Sequence, residues 1–270
     1  MNIIRNKLLI SFLLLAGLIL GCGRSERQGQ TLTIAGSTSV QPFAEKLAEV
    51  YMQKCAGCLI NVQGGGSSAG IMAVQQRAAD IGASSRELTP AEKRLWETVI
   101  AFDGIAVIVH PTSGLTDLSL EDLRRIFTSS LHNWSALGLP AHGIHVITRE
   151  EGSGTRTAFE ELVMGKTEIT PSALVQDSNG AVREIVATDP YAIGYISCGL
   201  VNHQVKALAI DGVSPTSQNI KKGEYKLTRR FLFVTLDRPT GIAKEFNDYV
   251  LSRKGQLILE NEGLVSIGEQ

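Results

Sequence analysis

The chain has 270 residues, and its 26 Lys and Arg against 27 Asp and Glu leave a formal net charge of −1. That balance offers no basic excess for a nucleic-acid backbone, so nucleic acid is not an expected partner. Beyond the N-terminal stretch no apolar run is long enough to cross a bilayer, which excludes a multi-span membrane protein.

Residues 1–21 read as an export signal. Arg5 and Lys7 give a positive start, and Leu8–Leu20 is an apolar run broken only by Ser11 and Gly17. The run is short for a membrane span. It ends in Ile19-Leu20-Gly21-Cys22, which resembles a bacterial lipoprotein signal. Cleavage there would leave Cys22 as a lipid-bearing first residue; a plain secretory signal cut nearby is the alternative. Either way the mature chain is exported. Residues 22–30 read as a polar, flexible tether. Cys55 and Cys58 sit in Cys-Ala-Gly-Cys. After export a disulfide stapling a turn is the first reading, with free thiols or a redox pair as alternatives. No second Cys pair or His pair has the spacing to complete a zinc site. Cys198 reads as a small buried residue.

The rest alternates strand and helix. Thr31–Ala35 reads as a strand, and Phe43, Leu47, Val50 and Tyr51 recur at helical spacing. Leu59–Gln63 is a strand; Ile71, Val74 and Ala78 mark a short helix. Asp80–Gly82 is a strand, and Thr89–Trp96 is expected to be helical. Val99–His110 is long for one strand and suits a crossing between domains. Ser119 caps a helix through Leu123, Ile126 and Phe127, with Asp122 near the capping-box position. Ile144–Ile147 is a strand, and from about Thr155 Phe159, Leu162 and Val163 share one helical face. Leu174–Gln176, a helix through Val182, Ile185 and Val186, and Ala192–Ser197 follow. Val205–Ile210 and Phe231–Thr235 are strands. Ile242, Phe246, Tyr249 and Val250 mark a helix, and a last helix covers about Gln256–Asn261. This alternation predicts an α/β fold with mostly parallel sheets.

Ligands of open α/β sheets bind where strands end and helices begin. Four such loops are rich in Gly, Ser and Thr: Ala35–Pro42, Gln63–Gly70, Gly82–Arg86 and Gly152–Thr155. Ser178-Asn179-Gly180 is a weaker fifth. Loops of this kind aim free backbone N–H groups and positive helix ends at one point. Ser153 and Thr155 add hydroxyls, and Arg149 just before its loop offers a planar fork that matches an oxyanion. Such donors suit a small tetrahedral anion, whose lost hydration must be replaced bond by bond.

Two enzymatic or nucleotide readings compete. Gly66-Ser67-Ser68-Ala69-Gly70 matches the G-x-S-x-G of serine hydrolases, with Ser68 as nucleophile. A base is then needed, and none of His110, His132, His142, His145 and His203 lies in a stretch that reads as a catalytic loop. A P-loop is excluded because no Lys follows any glycine loop. No cofactor motif is present, and no catalytic residue is assigned. Trp134 and Phe127 read as packing and Lys221-Lys222 as a solvated loop.

At this point several stretches match a known family. GSTSVQPFAEKLAEVY, NVQGGGSSAGI, ADIGASSREL, DGIAVIVHP, IFTSSLHNW, VITREEGSGTRTAFEELV, QDSNGAVREIVATDPYAIGYIS and GQLILENEGLV run in the order seen in the phosphate-binding proteins of high-affinity phosphate ABC transporters. The resemblance spans about Thr31 to Ile267. It implies a two-domain, type II periplasmic-binding-protein-like α/β fold, with residues 31–107 plus 229–270 as domain I and 108–228 as domain II. Inorganic phosphate would lie in the cleft between them. The implied partners are the permease subunits in the membrane, and the implied contacts are Thr38, Ser39, Ser67, Ser85, Arg149, Ser153, Gly154 and Thr155. Arg149 would pair with the acid two positions on, here Glu151.

One departure bears on selectivity. Where the best-known members of that family carry a carboxylate that accepts the ligand's proton, this sequence has Ser85. Asp103 or Glu150 is then the candidate to take over that role, and otherwise another tetrahedral oxyanion such as sulfate could bind. Arg86 either adds charge near the cleft or pairs with Glu87 or another acid.

Overall fold

The computed structural model describes residues 29–268, so the signal and the lipid-bearing Cys22 lie outside the described residues. Strand β1 (Gln30–Gly36) takes in the last residue of the expected tether and turns Leu32, Ile34 and Gly36 inward. Strand β2 (Cys58–Gly64) pairs with it in parallel on one side and β3 (Ile81–Ser84) on the other. Helices α1 (Gln41–Met52) and α2 (Ser67–Gln75) make the two crossovers. Parallel strands need such crossovers, and each begins a helix just beyond the carboxyl end of a strand. A disulfide joins Cys55 and Cys58 in the turn before β2.

The long apolar run belongs to one strand of 14 residues, β4 (Trp96–Val109). Its first part, Trp96–Gly104, pairs with β11 (Thr228–Thr235), which lies antiparallel between β3 and β4. Its last part, Ile105–Val109, pairs with β8 (Ala192–Ser197). Beyond β8 lie β6 (His145–Arg149) and β7 (Leu174–Gln176), all three parallel. One sheet path, β2-β1-β3-β11-β4-β8-β6-β7, therefore serves two lobes, with the change of partner between Gly104 and Ile105.

Each lobe has its own core. In the first, Leu32, Ile34, Phe43 and Leu47 meet Phe231, Phe233 and Phe246, the last from α7 (Gly241–Leu251). Helix α8 (Arg253–Asn261) adds Leu259. In the second, Ile105 and Val107 meet Phe127 of α3 (Leu120–Phe127), Phe159 of α4 (Gly154–Phe159) and Tyr195. Phe159 stacks on Tyr195 with ring centroids 4.0 Å apart. Helix α5 (Asn179–Thr188) packs Val182 and Val186 on the other face. Burying each such side chain is worth about 1.5–3 kcal/mol. Ser119 caps α3 as expected, accepting from the Asp122 N–H and donating to the Asp122 carboxylate.

Two expected elements differ. Thr89–Trp96 is a run of turns, and Trp96 already belongs to β4. The carboxylate of Glu92 folds back onto the Thr89 N–H and the Arg86 guanidinium, which closes a turn instead of a helix. The Val205–Ile210 strand is two short pieces. Strand β9 (Lys206–Ala207) pairs with β4, while β10 (Ala209–Ile210) pairs with β5 (Asp117–Leu118). The intervening Leu208 donates its N–H to Val107. The last described helix before β11 is α6 (Ser217–Lys221).

Candidate functional site

Helices α1, α2, α4 and α5 begin at one place between the lobes. Helix α4 is capped by Ser153, which accepts from the Arg156 N–H, and α5 by Ser178, which accepts from Ala181. Helices α1 and α2 start from Val40 and Gly66, and neither makes a side-chain cap. Their first turns are nevertheless buried: Val40 and Ser67 are both 0% exposed. The first N–H groups of a helix have no partner within it, and a buried helix start without a cap needs an acceptor from elsewhere. Gly66 has φ of +92°, which lets the chain turn into α2.

The lobes touch through hydroxyls and backbone. Ser39 Oγ and Thr155 Oγ1 are 2.7 Å apart. The Ser68 N–H donates to the Gly152 carbonyl at 3.1 Å. A Cβ at Gly154 would collide with the Ser67 and Ser85 hydroxyls, so only glycine permits this approach. Ser37 Oγ donates to Ser85 Oγ at 2.8 Å, and the Ser85 N–H donates to Ser67 Oγ at 3.1 Å.

Two buried arginines supply the charge. Arg149, at the end of β6, is 1% exposed. Its Nε and Nη2 hold the Glu150 carboxylate at 2.9 Å each, and Nη2 also reaches Thr38 Oγ1 at 3.1 Å. Its Nη1 is buried and has no hydrogen-bond partner among the described residues. Arg229, from β11, donates through Nε and Nη2 to Asp103 Oδ2 at 3.0 and 2.8 Å, and its Nη2 reaches Ser39 Oγ at 3.2 Å. Burial pushes the Asp103 carboxyl up and the Arg229 guanidinium down, and each opposes the other's shift. Asp103 also accepts from the Ser197 hydroxyl at 2.9 Å.

The structure thus gathers Thr38, Ser39, Ser67, Ser85, Arg149, Ser153, Gly154 and Thr155 into one buried cluster, with every hydroxyl except that of Thr38 at 1% exposure or less. Three sequence expectations change. Arg149 pairs with Glu150 rather than Glu151, whose side chain is exposed on the turn. Asp103 is spent on Arg229 and Ser197 rather than left for a ligand. Arg86 pairs with Glu92, which its guanidinium holds down at about 2. Ser68 Oγ accepts from Arg86 at 3.1 Å. Histidines bond elsewhere: His110 to Thr112, His142 to Tyr191 and His145 to Asp189.

Sequence reasoning missed Arg229 and undervalued Asn179. Asn179, 1% exposed, accepts the Ser197 N–H on Oδ1 and donates through Nδ2 to Thr38 at 3.2 Å and Ser39 at 2.9 Å. The available signal for Arg229 was a charge set in the otherwise apolar strand that ends in Phe231–Thr235.

Residues 23–254 match the model of a PBP superfamily domain. Phosphate-binding protein PstS of Bacillus subtilis (strain 168) is 33% identical over 97% of this chain and 95% of its own length. The chain belongs to the PstS family of phosphate-binding proteins. The PstS of Borreliella burgdorferi is 27% identical over 96% of this chain and 98% of its own length. A phosphate ABC transporter substrate-binding protein of Clostridium perfringens, solved with bound phosphate, is 39% identical with a TM-score of 0.86, covering 88% of this chain and all of that one. A phosphate transport receptor of Vibrio cholerae is 36% identical with a TM-score of 0.73 over the same shares. With these relatives, the two-lobed arrangement is the two-domain periplasmic-binding-protein fold of the family, and the donor cluster sits between its lobes.

Proposed function

We propose that the protein captures inorganic phosphate between its lobes and delivers it to the membrane permease of an ABC transporter. The observation that carries this reading is Arg149 Nη1, a buried cationic donor without a partner, among hydroxyls and two uncapped helix starts. A buried, unpaired N–H of a charged group is costly unless a ligand receives it. A tetrahedral oxyanion answers the guanidinium, the hydroxyls and the helix N–H groups together. Thr38, Ser39, Ser67, Ser85, Arg149, Ser153, Gly154 and Thr155 are the proposed contacts. The proposed domain boundaries, at 107/108 and 228/229, lie in β4 and β11, the strands that connect the lobes.

Titration calorimetry of the mature chain with inorganic phosphate should give one site, at micromolar affinity or tighter. Absence of phosphate binding would overturn the reading. Membership of a substrate-binding family points to transport rather than catalysis. The hydrolase alternative predicts steady hydrolysis of a phosphomonoester that is lost in Ser68→Ala. The bond from Arg86 to Ser68 argues against it, because it places a cation where a general base would be needed.

The protein is further proposed to be exported and held at a membrane face by lipid on Cys22. Among the described residues no helix is long and apolar enough to cross a membrane. Metabolic labelling with a fatty acid should mark the parent and not Cys22→Ala; label in the variant would contradict the anchor.

A further inference from the structure

Resting on the phosphate reading, we propose that the cleft is wired as a set of donors, with no carboxylate free to accept a proton from the ligand. It therefore admits a fully deprotonated tetrahedral oxyanion, sulfate, in competition with phosphate.

The wiring follows from counting. A hydroxyl has one proton to give and two positions at which to accept. Thr38 Oγ1 accepts from Arg149 Nη2 at 3.1 Å and from Asn179 Nδ2 at 3.2 Å. Both positions are filled, so its proton can only be given away. Ser39 Oγ accepts from Asn179 Nδ2 at 2.9 Å and Arg229 Nη2 at 3.2 Å. In its 2.7 Å contact with Thr155 Oγ1, Ser39 is therefore the donor, which leaves the Thr155 proton for another acceptor. The polarity is not arbitrary. The Ser197 N–H fixes Asn179 Oδ1 at 3.1 Å and so turns its Nδ2 toward Thr38 and Ser39. Ser197 in turn donates its hydroxyl to Asp103. Asn179 is thus a positioning residue that sets the direction of two hydroxyls.

The carboxylates near the cluster are already occupied. Asp103 receives Arg229 twice on Oδ2 and Ser197 on Oδ1. Glu150 receives Arg149 on both oxygens. Ser67, Ser85 and Thr155 each retain an accepting position, because each has one firm donor on it. A hydroxyl that accepts the proton of phosphate can turn and donate to a bare sulfate oxygen. A buried carboxylate in the same place could not turn, and its charge would face that oxygen unpaired. Discrimination then amounts to about one hydrogen bond, or roughly 5- to 150-fold.

The test is calorimetry on the mature chain with phosphate and sulfate, alone and in competition. The expected result is a single shared site with sulfate within about 150-fold of phosphate. Ser85→Asp, which places a carboxylate in the cluster, should weaken sulfate by more than about 100-fold and phosphate by much less. If that variant fails to fold, the ratio measured on the parent decides. A parent that binds phosphate and rejects sulfate by more than about a thousandfold overturns this inference and leaves phosphate capture standing. A folded Ser85→Asp that still binds sulfate as the parent does also overturns it. A parent that binds neither anion overturns the phosphate reading, and this inference with it.

Discussion

Arg149 and Arg229 are both buried, but they differ in what remains to be satisfied. Arg229 has a carboxylate of equal burial as its partner, the two side chains being 3% and 0% exposed. Arg149 leans on the half-buried Glu150 and keeps Nη1 unpartnered. Arg149→Ala should therefore weaken phosphate binding most among single changes, by about 2–5 kcal/mol in calorimetry. Ser67→Ala and Thr155→Ala should each cost about 1–3 kcal/mol. Arg229→Ala should act first on the fold. It strands a buried carboxylate, and denaturant unfolding should show a loss of about 3–5 kcal/mol, much of it regained when Asp103 is also made apolar. Arg149 was legible in the sequence because it stands beside the loop it serves. Arg229 was not, since its partners Asp103 and Ser39 are 126 and 190 residues away in the chain. The choice of Glu150 over Glu151 was equally hidden: it depends on which way a turn throws two adjacent identical side chains.

At the scale of elements, the donor loops were legible because glycine and small hydroxyl residues between an apolar strand and a helical pattern have a local cause. What the local pattern could not show was which helix starts would be capped. Ser153 and Ser178 cap theirs, whereas Val40 and Gly66 leave theirs open. The helix expected over Thr89–Trp96 failed for a similar reason. Its Glu92 finds Arg86, which is held by the end of β3, and the pair outcompetes a weak helical pattern. Arg86 holds the Glu92 carboxyl at about 2 against an ordinary 4.5. A depressed carboxyl stabilises the fold above its unfolded value, and that contribution is lost as pH falls through the folded one. The pair should thus stabilise the protein fully above about pH 4.5 and fade toward about pH 2. In acid unfolding, Glu92→Gln should be less stable than the parent at neutral pH and lose less over that window. Parallel curves for the two proteins would rule out this linkage.

For the whole molecule, the question is whether two lobes joined by β4 unfold together. Strand β4 gives its first part to one sheet half and its last part to the other, with no loop between. The end of the chain ties them again. Leu264 belongs to the first lobe's core, while its neighbour Val265 packs in the second lobe's core and bridges to Phe102 of β4. Across the cleft the contacts are hydroxyls, an amide and backbone, which lose little when exchanged for water and gain when an anion joins them. Closure should therefore be reversible and ligand-dependent, while the covalent and core ties keep unfolding cooperative. Scanning calorimetry should show one transition in the absence of added phosphate. At a phosphate concentration about 100 times Kd, the ligand adds about 2.7 kcal/mol to stability. For a chain of this size that raises Tm by roughly 5–10 °C, still as one transition. Two transitions, of which phosphate moves only one, would mean that the lobes unfold separately and that β4 and the Leu264–Val265 tie do not couple them.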